Sequence, residues 1–416
     1  MYQNSLHNNK ALMRLTTILL LLITSFAYAQ QNDYALTNAN LINGFENKVY
    51  PNAIVFVKNG KIEKIGKKGD AIASNYTVVD CEGNYLMPGM IDAHTHIDNL
   101  ASAKRALKSG VTTVRSASVS AYQDIAIREL VKSGRLPGPD MMASGVFVTP
   151  QLGQSLLSDT RLGELIGGVN TDEELKKLVN VNIDRGVNFI KTRGTERAGL
   201  PDTDPREQTY TAHQLKVVVD EAAKRDIPVM IHAHGDEGAY AAVSAGARSI
   251  EHGTYLSEKT LKLMKEKGTF LVPTYITLVD LTKPGGDYDD AVLEMRGNFM
   301  LPVAEKMFKK AHTLGVKIAT GADNGYSANT TSSVALEVAN FARMGMSNFE
   351  AIQSATTVAA ELLRLDKQTG RIVNGYEADM ILVPTNPLED INALLDALLV
   401  MSNGQMAIKR LPFAKN

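Results

Sequence analysis

Two histidines one residue apart, His94 and His96, end the stretch Leu86-Met-Pro-Gly-Met-Ile-Asp-Ala-His-Thr-His. An apolar run entered through Pro88-Gly89 reads as a buried strand. Side chains alternate along a strand, so residues i and i+2 share a face. Both imidazoles therefore point to one side at the strand's C-terminal end, close enough to grip one metal ion. The pattern recurs down the chain. Pro228-Val-Met-Ile-His-Ala-His ends with His232 and His234, and Arg248-Ser-Ile-Glu-His ends with His252. Val187-Asn-Phe-Ile-Lys ends with Lys191, and Lys317-Ile-Ala-Thr-Gly-Ala-Asp ends with Asp323. Only His7, His213 and His312, of eight histidines, lie away from such strand ends. Imidazole and carboxylate donors suit zinc and its neighbours.

Lys191 is no metal ligand while it is an ammonium. A lysine buried beside cations has a lowered pKa and becomes a neutral amine. Such an amine can add carbon dioxide to form a carbamate, N6-carboxylysine, which can bridge two metals. A lysine paired with Asp323 or with a substrate carboxylate is the alternative.

These residues need a frame that gathers strand ends. Apolar runs at 87–96, 111–116, 140–149, 187–193, 228–234, 248–252, 269–275 and 317–323 read as strands. Helices with readable ends lie between several of them. Thr171-Asp-Glu-Glu174 and Ser347-Asn-Phe-Glu350 are capping boxes, and Lys262 to Gly268 closes a helix on basic residues and glycine. Eight strands alternating with helices over residues 87–366 predict an α/β fold, a (β/α)8 TIM barrel, whose chemistry sits at the C-terminal strand ends. A doubly wound sheet competes. No Gly-x-Gly-x-x-Gly follows an early strand, so nucleotide cofactors have no support.

The flanks differ in texture. Asn59-Gly60 lies between two apolar runs, the strongest short-range hairpin signal, and Asn403-Gly404 repeats it. Residues 30–86 and 367–416 together predict a small β-sandwich domain built from both termini. Residues 1–29 read as a signal peptide: Lys10 and Arg14, then an apolar run from Leu15 to Phe26, then Ala27-Tyr28-Ala29. The expected location is periplasmic or secreted. Cys81, the single cysteine, excludes an internal disulfide. The formal net charge of −1, near −3 without Lys10 and Arg14, suggests neither a nucleic-acid nor an anionic-membrane partner. The sequence leaves the oligomeric state open, a homo-oligomer included.

The motifs Pro88 to His96, Phe189-Ile-Lys191, Ile231-His-Ala-His-Gly235, Ile250-Glu-His-Gly253 and Thr320-Gly-Ala-Asp323 resemble the amidohydrolase superfamily. The likeness is strongest to its binuclear, imidazolonepropionase-related branch of Xaa-Pro dipeptidase-like and Xaa-Arg carboxypeptidase-like enzymes. The resemblance covers residues 35 to 410, and it implies two divalent metals, zinc by preference. It implies His94, His96 and Asp323 on one metal, His232 and His252 on the other, and carbamylated Lys191 between them. One departure stands out: where relatives carry a Gly-Gly-His-type turn, this chain reads Thr149-Pro-Gln-Leu-Gly-Gln154.

Strand parity does not separate His232 from His234 as ligand. His234 reads either as a substrate contact or as a hydrogen-bond partner of a ligand. Tyr210 and Tyr255 lie near strand ends and read as substrate-facing or as packing. Arg193 shares the face of Lys191 and reads as a carboxylate binder or as half of a structural ion pair. The implied reaction is hydrolysis of an amide next to a carboxylate, in a dipeptide or N-acyl amino acid, by a metal-bridging hydroxide. Asp323 is then the acid–base group, with His234 as the second catalytic candidate. The alternatives are a mononuclear deaminase or imidazolonepropionase-like cyclic-amide hydrolase, and a non-catalytic zinc-binding protein.

Overall fold

The computed structural model describes residues 32–411 apart from 284, 286 and 287. Residues 1–29, read above as a signal peptide, lie outside the described residues. Strands β1 (Tyr34–Leu41), β2 (Tyr50–Lys58), β3 (Lys61–Lys67), β4 (Thr77–Asp80) and β5 (Tyr85–Pro88) come first. Next are β6 (Met90–Thr95), β7 (Val111–Ser116), β8 (Asp140–Met142), β9 (Ile190–Arg193), β10 (Val229–Ala233), β11 (Ser249–His252) and β12 (Phe270–Val272). The chain closes with β13 (Met380–Val383), β14 (Leu399–Ser402) and β15 (Gln405–Lys409).

Both ends of the chain build one eight-stranded sheet, ordered β15-β14-β13-β5-β1-β2-β3, with β4 beside β1. The two Asn-Gly turns behave as their sequence dictates. Asn59 and Gly60 have φ of 50° and 78°, and Asn403 and Gly404 of 50° and 71°. Positive φ at both central positions is what a type I′ hairpin needs. The two turns touch: a Cβ on Gly404 would sit 2.6 Å from Gly60 Cα.

The middle of the chain forms two parallel sheets, β6-β7-β8 and β12-β11-β10-β9. Their edges are stitched together. Val148 pairs with Thr192, and its N–H donates to Lys191 O at 2.9 Å. On the other side Leu271 pairs with Ile318. Ala93 N donates to Thr320 O at 2.9 Å, and Asp323 N to His94 O at 2.7 Å.

The eighth apolar run, 317–323, makes these bonds without becoming a regular strand. Thr320 N bonds Ser354 O, and Ala322 N bonds the Asp92 carboxylate, so donors leave the ladder. The third run is shortened to Asp140–Met142 for a similar reason. Ser144 N and Gly145 N donate to Asp124, and Val146 N to Asn182. The helix caps form as read: the Thr171–Glu174 and Ser347–Glu350 boxes are reciprocal, and Gly268 ends Glu258–Lys267 at φ 68°. Among the described residues no helix is long and apolar enough to cross a membrane.

Candidate active site

The strand-end residues converge on one cleft. His94, His96, Lys191, His232, His234, His252 and Asp323 all line it, with Phe147, Arg197, Leu200, Leu278, Leu281 and Tyr288 among its other walls. His94 Nε2 lies 3.3 Å from Asp323 Oδ1 and 3.5 Å from Lys191 Nζ. His96 Nε2 lies 3.1 Å from the same carboxylate oxygen. Donor atoms of His94, His252 and Asp323 fall within 4.8 Å of one another, as do those of His232, His234 and His252. The five imidazoles, the lysine and the aspartate thus stand as one cluster. His96 faces its open side, with 40% of the side chain exposed.

Each imidazole has one nitrogen tied down. His94 Nδ1 meets Glu251 Oε2 at 2.7 Å, and His96 Nδ1 meets Ser118 O at 2.8 Å. His232 Nε2 meets Glu196 O at 3.0 Å. His234 Nδ1 meets Thr254 Oγ1 at 2.9 Å, and His252 Nδ1 meets Thr274 Oγ1 at 2.7 Å. All five bonds hold ring orientation, and the carboxylate and carbonyl partners of His94, His96 and His232 also require the N–H on that side, which leaves the lone pair of the other nitrogen to ligate a metal.

The electrostatics agree. Burial drives His232 and His252 well below their ordinary pKa and takes His234 down to about 3, so all three are neutral imidazoles. Burial also lowers the Lys191 ammonium to about 8, although Glu251 and Asp323 oppose it. Burial pushes the Asp323 carboxyl up, but His94, His96 and His252 outweigh it and hold it well below its usual value. Glu251 is likewise pushed up by burial and held down, at about 2, by Arg115 and His94. An ionised Glu251 requires a proton on His94 Nδ1, which leaves Nε2 free to ligate.

Backbone strain gathers here. Ser118, His252, Thr274 and Asp323, none of them glycine, have φ of 108°, 74°, 45° and 45° respectively. Residues held in this region cost roughly 1–3 kcal/mol each and cluster at functional sites. Asp92 supports both flanks: its carboxylate accepts from His94 N and Ala322 N at 3.1 Å each and from the Tyr326 hydroxyl at 2.7 Å.

Three of the residues read as substrate-facing do not line the cleft. Arg193 pairs with Glu196 at 2.9 Å. The Tyr210 hydroxyl is buried on Val169 O at 2.7 Å. Tyr255 is half-buried, its N–H on His234 O. Conversely, sequence reasoning missed Glu251, Arg115 and Arg197. Glu251 was inside a motif already singled out, and Arg115 lies one residue before the end of β7. A charged residue at such a strand end was the available signal for both.

Donors converging on the C-terminal ends of parallel strands is the arrangement of the amidohydrolase fold. The chain belongs to the amidohydrolase family, which matches residues 85–407. With that family it is a hydrolase of C–N bonds, and the family read from the strand-end motifs is borne out. It is similar to ochratoxinase of Aspergillus niger, 29% identical over 350 residues, 74% of this chain and 71% of that protein. It is also similar to imidazolonepropionase of Thermoanaerobacter pseudethanolicus, 26% identical over 383 residues, 81% of this chain and 85% of that one. Among solved structures, a Xaa-Pro dipeptidase with bound methionine matches with a TM-score of 0.79 and 28% identity, over 90% of this chain and 99% of that one.

Proposed function

We propose that this protein hydrolyses an amide next to a carboxylate, in a dipeptide or an N-acyl amino acid, with the aid of two divalent metal ions. The observation that carries this reading is the set of five imidazoles, each with one nitrogen tied down, around Lys191 and Asp323. His94, His96 and Asp323 would hold one ion, and His232 and His252 the other. Lys191, its amine favoured by burial, would take up carbon dioxide and lie between them as N6-carboxylysine. Two such ions, zinc by preference, would supply Lewis acidity and a strongly nucleophilic water at neutral pH.

The chain's own residues do the rest. Asp323 accepts a proton from the attacking water and returns it to the leaving nitrogen. His234, neutral and beside His252, faces the substrate carbonyl. Arg115 and Glu251 keep His94 in its ligating tautomer. The cleft offers about 140 Å³ of accessible space, room for a small substrate. The likeness to a Xaa-Pro dipeptidase supports a dipeptide substrate. In this reading the stitched sheets close a (β/α)8 ring, the terminal sheet is a composite β-domain, and residues 1–29 direct export to the periplasm or beyond.

The test is a dipeptide and N-acyl-amino-acid library on zinc-reconstituted protein lacking residues 1–29, with metal counted on the same sample. Turnover with two metals per chain is the expected result. One metal per chain with turnover of a cyclic amide would favour the imidazolonepropionase-like alternative. Metal binding with no turnover would leave only a zinc-binding role.

A further inference from the structure

The cleft carries a cation that no described residue neutralises. Arg197 lines it alongside Lys191, close enough for its charge to oppose the Lys191 ammonium. Among the described residues the Arg197 guanidinium has no ion pair and no hydrogen bond. Its neighbour Glu196 is paired with Arg193 at 2.9 Å, and Asp204 with Arg206 at 2.7 Å.

The loop that presents Arg197 is fixed. Arg296 donates to the carbonyls of Ala198, Leu200, Pro201 and Thr203 at 2.5, 2.6, 3.1 and 2.6 Å. The Thr203 hydroxyl donates to Arg197 O at 2.5 Å. A Cβ on Gly199 would come within 2.7 Å of the Tyr288 ring, so the loop is packed against that side chain. A guanidinium displayed on a braced loop and left without an anion is preorganised to receive one. Its planar fork matches a carboxylate in two parallel hydrogen bonds. Leu200, Leu278 and Leu281 add apolar wall to the same cleft.

We propose that Arg197 anchors the substrate's free carboxylate, and that the substrate carries an apolar side chain against these leucines. This narrows the amide-hydrolase reading and rests on it. Anchor and hydrolysis can be tested apart. Equilibrium binding of N-acetyl-leucine and of neutral N-acetyl-leucinamide is measured on chelator-treated protein, wild type and Arg197→Ala, by calorimetry. Wild type should bind the carboxylate form at least about tenfold more tightly, the scale of a charge-assisted hydrogen bond. Arg197→Ala should bind both alike, and Arg197→Lys should restore part of the preference. On metal-loaded protein, Arg197→Ala should raise KM for the library's best carboxylate substrate by a similar factor, with kcat nearly unchanged. No preference in wild type, no binding of either probe, or a preference that survives Arg197→Ala would overturn the anchor. A library that yields no turnover while the binding preference follows Arg197 would instead overturn the hydrolase reading.

Discussion

Glu251 and His94 are joined at 2.7 Å, carboxylate Oε2 to ring Nδ1, and Arg115 holds the same carboxylate from the other side at 2.9 Å. All three side chains are buried. The chain of charge sets which nitrogen of His94 faces the cleft. Glu251→Gln leaves the shape but removes the anion, so His94 can adopt the wrong tautomer. Zinc affinity should fall about 10–100-fold, read by competition with a chromophoric chelator. An affinity within twofold of wild type would remove Glu251 from metal binding.

Lys191→Ala should lose most bound metal and activity, because the bridging anion goes with the amine. Short carboxylates added with bicarbonate should restore part of both by filling the gap. Metal content and turnover on the same preparation decide the matter, and two retained metals with full turnover would end the carbamate reading.

Asp323→Asn keeps a carbonyl oxygen that can still ligate, but it cannot take or give the proton. General acid–base catalysis is worth about two to four powers of ten. The loss in kcat should be at least about a thousandfold, with KM changed much less. A variant with full metal and near-wild-type kcat would return the proton to His234.

Glu337 gives a stability prediction away from the metal cluster. Its buried carboxyl caps the short helix Tyr275–Leu281 by accepting from Tyr275 N at 2.8 Å and Ile276 N at 2.7 Å. Burial raises it from 4.5 to about 8. Between those values the folded chain keeps a proton that the unfolded chain has lost, so unfolding free energy contributed by this group falls as pH rises through that window. Glu337→Gln should flatten the fall in stability between pH 4.5 and 8 measured by urea unfolding. It should also lower stability at pH 4.5, because the amide NH2 cannot accept from a backbone N–H. An unchanged slope would show that Glu337 does not titrate there.

The motif residues were legible because their logic is local. Alternation along a strand puts His94 with His96 and His232 with His234, whatever surrounds them. What escaped the sequence depends on distant partners. Arg115 and Glu251 are 136 residues apart, and no periodicity announces their pairing. Arg193 shares a strand face with Lys191, but it ends its strand and turns to Glu196 three residues on. Arg197 reaches the cleft on a loop whose path is set by Arg296, about 100 residues later. The eighth apolar run was visible as a run. Its irregular bonding was not, because Ser354 and Asp92 are what draw its donors away.

The sheet built from both ends carries a consequence for the order of assembly. Strand β5 meets β1 on one edge and β13 on the other, with Met87 opposite Ile381. Pairings so distant in sequence are slow to form, because a long loop must close first. Until the last strands emerge, the Tyr85–Pro88 edge and the buried face of Leu86 lack their cover. A chain ending before Met380 therefore displays an unpaired apolar edge, the kind of template on which β-sheet proteins aggregate. The early strands of this protein wait for the segment from Met380 to Lys409, so synthesis must pass that segment before the sheet can close.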